Sequence, residues 1–554
     1  MKLKSLMKLS MLVAGLFSVV GCGNKESGTG GGNKTTDNGY ENGKKIHKKE
    51  SEYASVDPLN YNDFHKRDKL KFTIYAPKNA NYSTDLKAKW EEATNSEITI
   101  TEWESGAYSD AITKSFMNKN DMPDLYCTVP NLETIVKQGA ALPIYDLLMQ
   151  YAPNYRKNLT VENWVQLTDG SDHEVYHMRS IREPGYGFSW LIRKDWLDNL
   201  HLSVPTTWDE FNDVLQAFKD RDPNGNGKND EVPFTGDISR LRYLFGINTS
   251  YQFCTDYDTN EYQSIVEHKN YKAYLQTMQD MFAGGLLNNG YSSVDEWVKL
   301  PEMMTNDTLG CTLSWAEYAK TQTAVLQKTV PNGKWVGFKL AGPSLNGKTY
   351  SDIPDQGGLT QAFVFSSKLA GDSERAKEIM RCVNWLFSDA GETLTNYGIE
   401  GETYDVVNGQ KVIKTDYANF ANARKRGLIN VNYMPFRWVS DSYIQMTTGG
   451  KSYAEMDDLS KLMYEALGTG KDNTAKYDFR KQTVAVTTES WTKKGTTLSN
   501  DLNSFEAGVI SGTKGATASA LDSELTNMKK KFEDVSKDGR DVYSDIYAAC
   551  QKGL

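Results

Sequence analysis

The chain has 554 residues, with 63 Lys and Arg against 72 Asp and Glu, a formal charge of −9. Phosphate backbones are held by clustered Lys and Arg, so an acidic chain of this kind is not a nucleic-acid binder. Its length exceeds what one hydrophobic core supports, and two or more domains are expected.

The N-terminus carries Lys2, Lys4 and Lys8, then an apolar run from Leu9 to Val20, then Gly21-Cys22. As a helix that run spans only about 18 Å, against roughly 30 Å of bilayer hydrocarbon. A charged head, a short apolar run and a small residue at the cut read as an export signal over residues 1–21. Val19-Val20-Gly21-Cys22 resembles a lipobox, which implies cleavage before Cys22 and acylation of its thiol. Loss of three lysines would move the formal charge to −12. Residues 22–65 lack apolar periodicity and contain Ser27-Gly28-Thr29-Gly30-Gly31-Gly32, so a flexible tether is expected there.

Five cysteines remain, at 127, 254, 311, 382 and 550, widely spaced and without CxxC. They read as buried thiols. The folded body opens with alternation at Leu70, Phe72 and Ile74. Leu86, Trp90 and Ala93 follow at helical spacing, then a second alternating run from Ile98 to Trp103. Strand, helix and strand at this length predict a parallel pair and an α/β lobe, whose ligands sit beyond the carboxyl ends of the strands. Trp103 and Tyr126 fall at such ends.

A helix is predicted from Thr207, where Thr207 and Glu210 form a capping box and Trp208, Phe211, Leu215 and Phe218 make one apolar stripe. It runs into Asp222-Pro223-Asn224-Gly225-Asn226-Gly227-Lys228-Asn229-Asp230-Glu231. Oxygen-bearing side chains on alternate residues, with glycines that let the chain curl, suit a calcium ion. Two registers compete. Starting at Asp220, the positions Asp220, Asp222, Asn224, Gly225 and Glu231 match an EF-hand literally, but Lys228 falls on a ligand position. Starting at Asp222, Lys228 falls where only a carbonyl is used, and this register is preferred.

Trp190 to Leu197, Pro205 to Glu210 and the Asp222 loop ending in Val232-Pro233-Phe234, in this order and spacing, resemble the extracellular solute-binding proteins of carbohydrate ABC importers. Gln138 to Pro143, Arg381 to Phe387 and Asn396 to Tyr404 fit as well. The likeness is greatest to the large branch with a calcium loop. It implies a two-lobed, periplasmic-binding-protein-like α/β fold with a hinge and extra C-terminal helices. Residues 66–188 and 358–410 would form the first lobe, and 189–357 and 411–554 the second. The chain would be a monomer on the outer face of the cell membrane, held only by the lipid on Cys22, and would pass an oligosaccharide to permease subunits. It further implies that Asp222, Asn224, Asn226, the Lys228 carbonyl, Asp230 and Glu231 hold a structural Ca²⁺.

Sugar rings stack on aromatic faces, and their hydroxyls bond to Asp, Glu, Asn, Gln and Arg. Trp90, Trp208 and Trp385 lie on apolar helix stripes and read as core. Trp103, Tyr126, Trp190, Trp315 and Trp438 follow strands or sit in loops and are the cleft candidates, with Arg437 and Glu400 as polar ones. Two enzyme readings compete with capture. A secreted glycoside hydrolase or lyase needs only a carboxylate pair among many acids. His173-Glu174-Val175-Tyr176-His177 matches the zinc-protease HExxH motif, but its chemistry needs a helix. Here it follows the turn sequence Thr168-Asp169-Gly170-Ser171-Asp172 and is expected in extended chain.

Overall fold

The computed structural model describes residues 39–553 apart from 54–59, 79–83, 184–186, 248–251, 257, 260, 351–357, 418–419, 429–431, 449, 475–485 and 487. The export signal and Cys22 lie outside the described residues.

The chain opens with a hairpin, β1 (Tyr40–Glu41) and β2 (Lys44–Lys45). The first lobe then begins with β3 (Leu70–Pro77), β4 (Ser96–Trp103), β5 (Leu125–Cys127) and β6 (Met178–Arg182). The second lobe holds β7 (Phe188–Arg193), β8 (Val232–Phe234), a ribbon of β9 (Phe253–Thr255) and β10 (Tyr262–Ser264), β11 (Leu309–Trp315) and β12 (Trp335–Phe338). The chain returns to the first lobe with β13 (Gly358–Phe365), the hairpin β14 (Tyr404–Val407) and β15 (Gln410–Ile413), and β16 (Arg437–Trp438).

The first lobe is a six-stranded sheet in the order β16-β6-β13-β5-β3-β4, and the second a four-stranded sheet in the order β12-β7-β11-β8. The predicted βαβ unit is present: β3 and β4 pair in parallel from Leu70 with Ser96 to Pro77 with Trp103. The crossover helix, Thr84–Thr94, buries Leu86, Trp90 and Thr94 at four-residue spacing. In the helix Trp208–Asp220 the Thr207–Glu210 capping box forms, and the whole predicted stripe is buried.

Strand direction places the cleft. β3, β4 and β5 end at Pro77, Trp103 and Cys127, and β6 and β16 end together at Arg182 and Trp438. In the second lobe β11 ends at Trp315 directly opposite Phe188, the first residue of β7. The chain passes between the sheets from Arg182 to Phe188, from Phe338 to Gly358, and after Trp438. Carboxyl ends of both sheets therefore converge on one hinge, where ligands of open α/β sheets bind.

Two boundaries differ from expectation. The second lobe was expected to resume at 411, but β16 pairs with β6, so the chain stays in the first lobe through Trp438. A two-residue strand leaves no alternation to read. The expected tether also ends earlier than 65. Lys45 donates to Asp146, and its amide to the Asp172 carbonyl. His47 stacks on Tyr145 with centroids 4.1 Å apart. Tyr40 donates to Glu174, and Phe64 is fully buried. Polar composition hid this, because the segment is held by hydrogen bonds and ion pairs rather than by an apolar stripe.

The C-terminal helix Ala518–Gly553 ties the lobes together. Its Tyr543 stacks on Tyr262 of the second lobe at 5.0 Å. Farther along, Asp545 pairs with His173 and with Lys44 of the N-terminal hairpin. Removing residues 1–60 strips partners from buried Tyr145 and Glu174, and is expected to lower the melting temperature by about 5–10 °C. Removing only residues 1–38 leaves it unchanged, and differential scanning calorimetry of the two truncations checks this.

All five cysteines after Cys22 are buried and unpaired. Among the described residues no helix is long and apolar enough to cross a membrane.

Candidate functional site

At the cleft end of β11 the second lobe presents an aromatic platform. Register sets Trp315 opposite Phe188, with ring centroids 4.3 Å apart. Trp297 lies 5.8 Å from Trp315 and is 66 % exposed. A large apolar ring so exposed is held in place by its backbone. Asp295 accepts from the amides of Trp297, Val298 and Lys299 at 3.0, 2.7 and 3.1 Å, fixing the turn that carries it. Gly187 enters the site at φ +102°, and a Cβ there would stand 3.1 Å from Tyr443 Oη and 3.3 Å from Trp315 Cε3. Only glycine lets both rings close on the hinge strand.

Polar groups rim the platform. The Arg240 guanidinium sits 3.8 Å from the Phe188 ring centroid, a cation–π contact. It donates to Asp237 at 3.3 Å and to Glu296 at 3.4 Å. Ser314 donates to the other Glu296 oxygen at 3.2 Å. Burial pushes the Glu296 carboxyl above its ordinary value, and the Arg240 charge opposes that shift. Among the described residues Trp315 Nε1 is buried with no hydrogen-bond partner, a donor for a ligand hydroxyl. Flat rings beside carboxylates and a free indole N–H suit a polyhydroxylated ring.

The predicted cleft residues separate into two groups. Trp315 belongs to the platform. Trp103 is half-buried at the end of β4, edge-on to Tyr75 at 4.4 Å, on the facing lobe. Trp438 is half-buried on Phe436 at the hinge. Tyr126 is a correction: it is fully buried between Tyr75 and Phe116, its hydroxyl 2.7 Å from Ser115 Oγ. Trp190 is another, enclosed by Phe211, Phe234 and Phe338. Both lie on strands covered on both faces, where alternation cannot tell core from cleft. Arg437 is held by Glu183 and Glu392 within the first lobe. Glu400 lies exposed on the turn before β14, in a groove with Trp385, Thr393 and Lys411 rather than on the platform. Trp297 and Arg240 were missed. The one available signal for Trp297 was a tryptophan without apolar periodicity in a polar loop.

The HExxH reading fails on backbone geometry. His173 has φ +57°, Val175 bridges to Thr168, and β6 begins at Met178. The two histidines cannot share a helix face. His173 serves the Asp545 contact, while Glu174 accepts from Tyr40.

The Asp222 loop curls as expected. Asp222, Gly225 and Gly227 have φ of +43°, +69° and +72°. Amides of Asn226 and Gly227 donate to the Asp222 carboxylate at 3.0 and 2.9 Å, and the Lys228 amide to Asn226 Oδ1 at 2.7 Å. Lys228 is exposed. Among the described residues both Glu231 carboxylate oxygens are buried without a well-formed hydrogen bond, the backbone amides of Asp230 and Glu231 approaching only loosely. Burial, with Asp230 and Asp222 nearby, raises its pKa. An orphaned buried carboxylate among other acids fits a hard cation. Asp220 instead ends the preceding helix and accepts from Gln216, which favours the register starting at Asp222.

The profile of the bacterial extracellular solute-binding proteins matches residues 76–393, more than half of the chain. The chain belongs to that family. Members bind solutes and are not enzymes, so the hydrolase, lyase and protease readings fall away. Among curated relatives, the fructooligosaccharide ABC transporter substrate-binding protein FusA of Streptococcus pneumoniae is 30 % identical over 31 % of this chain and 36 % of its own. Lipoprotein LipO of Bacillus subtilis is 25 % identical over 59 % of this chain and 65 % of its own. The chain thus spans from about a third to just under two thirds of these relatives. A solved FusA EF-hand mutant with fructo-nystose superposes with a TM-score of 0.58 at 19 % identity, covering 87 % of this chain and 100 % of that one. A human-milk-oligosaccharide-binding protein from Bifidobacterium longum infantis gives 0.64 at 18 %, covering 87 % and 99 %. The two-lobed α/β fold is therefore that of the binding proteins.

Proposed function

We propose that the chain is the oligosaccharide-capturing subunit of an ABC importer, acylated at Cys22 on the outer face of the membrane. The observation that carries the reading is the Trp315–Trp297 platform, backed by the buried Phe188, at the converging ends of both sheets. Trp103 on the facing lobe supplies an aromatic group for the other side of a captured chain. Binding to both lobes favours the closed state, since a ligand shifts a conformational equilibrium only by its differential contacts. Seventeen residues separate Cys22 from the first strand of the hairpin, a reach of at most about 60 Å. Such a leash holds released sugar near permease subunits. The names of FusA and LipO support sugar import and lipid anchoring respectively.

A bound Ca²⁺ would be held by Asp222, Asn224, Asn226, the Lys228 carbonyl, Asp230 and Glu231, and would supply fixed positive charge that neutralises the loop. The loop joins the helix Trp208–Asp220 to β8, so it braces the second lobe rather than the platform.

Calorimetric titration against an oligosaccharide panel, with chromatography of the recovered sugar, tests the assignment. Saturable binding of intact sugar is expected. Shortened products, or no binding across the panel, would overturn it.

A further inference from the structure

We infer that the platform accepts neutral sugar rings and excludes uronic acids. This inference rests on the oligosaccharide reading and names the substrate class of that same site. The platform's wall carries three carboxylates, Asp237, Glu296 and Glu317, against the guanidinium of Arg240. That guanidinium is already engaged twice by carboxylate and lies against the Phe188 face. A sugar carboxylate would have to displace the exposed Asp237 or the half-buried Glu296 to reach it, and displacing Glu296 leaves a half-buried carboxylate without its counter-charge. Glu317 stands nearby, its Oε2 accepting from the Tyr443 hydroxyl at 3.5 Å, and that hydroxyl, like Trp315, borders Gly187.

Two cations of the first lobe are already paired. Arg437 is held between Glu183 and Glu392, and Lys78 at the end of β3 is paired with Glu104. A neutral ring has no such conflict. Its C–H face takes the aromatic surface, and its hydroxyls can donate to Glu296 and Asp237 and accept from Trp315 Nε1.

The test is calorimetry of the full chain against two matched sets of tri- and tetrasaccharides. One is neutral (fructans, glucans, xylans, galactans, mannans) and one acidic (oligogalacturonate, oligomannuronate, oligoguluronate). Binding confined to the neutral set is expected. An acidic oligosaccharide that binds as tightly as the best neutral one would overturn the inference while leaving the capture reading intact. Failure of both sets would instead remove the capture reading, and this inference with it. In an Asp237→Asn, Glu296→Gln double variant with an unchanged melting temperature, Arg240 is released. The ratio of acidic to neutral affinity should then rise roughly tenfold or more. A ratio that stays the same would also overturn the assignment of selectivity to these two carboxylates.

Discussion

Replacing Trp297 by alanine is expected to weaken oligosaccharide binding about tenfold to a hundredfold while leaving the melting temperature within about 1 °C. An indole face stacked on a sugar ring removes well over 50 Å² of apolar surface from water. At about 25 cal/mol per Å² with the added stacking term, the loss is roughly 1.5–3 kcal/mol. Folding loses little, because the ring is 66 % exposed without ligand and surface substitutions usually stay within about 0.5 kcal/mol. Affinity and stability therefore come apart at this residue. Trp190→Ala is expected to do the reverse, costing about 3–5 kcal/mol of stability because its ring is enclosed by three phenylalanines. Calorimetry and thermal melts on both variants check the pair. Native-like affinity in the Trp297 variant would remove the platform from the binding site.

Calcium should raise the melting temperature of the native chain by about 5–10 °C, and Glu231→Gln should invert the comparison in chelator. Ligand at about a hundred times its Kd stabilises by roughly 2.7 kcal/mol, and each kcal/mol moves the melting temperature of a domain this size by about 2–4 °C. Glu231 has a folded pKa raised above its unfolded value, first by burial. Its contribution to stability is therefore present below the unfolded pKa and lost as pH rises through the folded pKa. At neutral pH without metal, the chain bears a cost for this partly buried carboxylate beside Asp230 and Asp222, only part of which backbone hydrogen bonds offset. Glutamine removes that cost, so the variant should melt higher than the native chain in chelator and lower in calcium. Melting curves that are parallel under both conditions would mean that the loop holds no cation.

These two sites were legible to different degrees. The curl of the loop was readable, because glycines at 225 and 227 permit the left-handed backbone it adopts; that it holds a cation is the proposal the chelator melts test. The capping box and stripe from Thr207 were readable for the same reason, as local geometry sets local spacing. The cleft was not. Its platform joins Phe188, Arg240, Trp297 and Trp315 from four separate segments, and only register between β7 and β11 brings the first and last together. Trp190 and Trp315 look alike in sequence, since both sit on strands buried on both faces. What separates them is position along the strand, with Trp315 at its open end. The N-terminal hairpin was hidden by its polarity, because Lys45, His47 and Tyr40 dock through charge and hydrogen bonds that no hydrophobic pattern announces.

The most direct test of the account is a crystal structure of the chain with the tightest-binding saccharide from the panel. The account predicts an intact sugar between the lobes, one ring within about 4 Å of Trp297 and Trp315, and Trp103 brought toward it from the first lobe. A saccharide seated instead in the groove beside Glu400 and Trp385, with the platform bare, would contradict it.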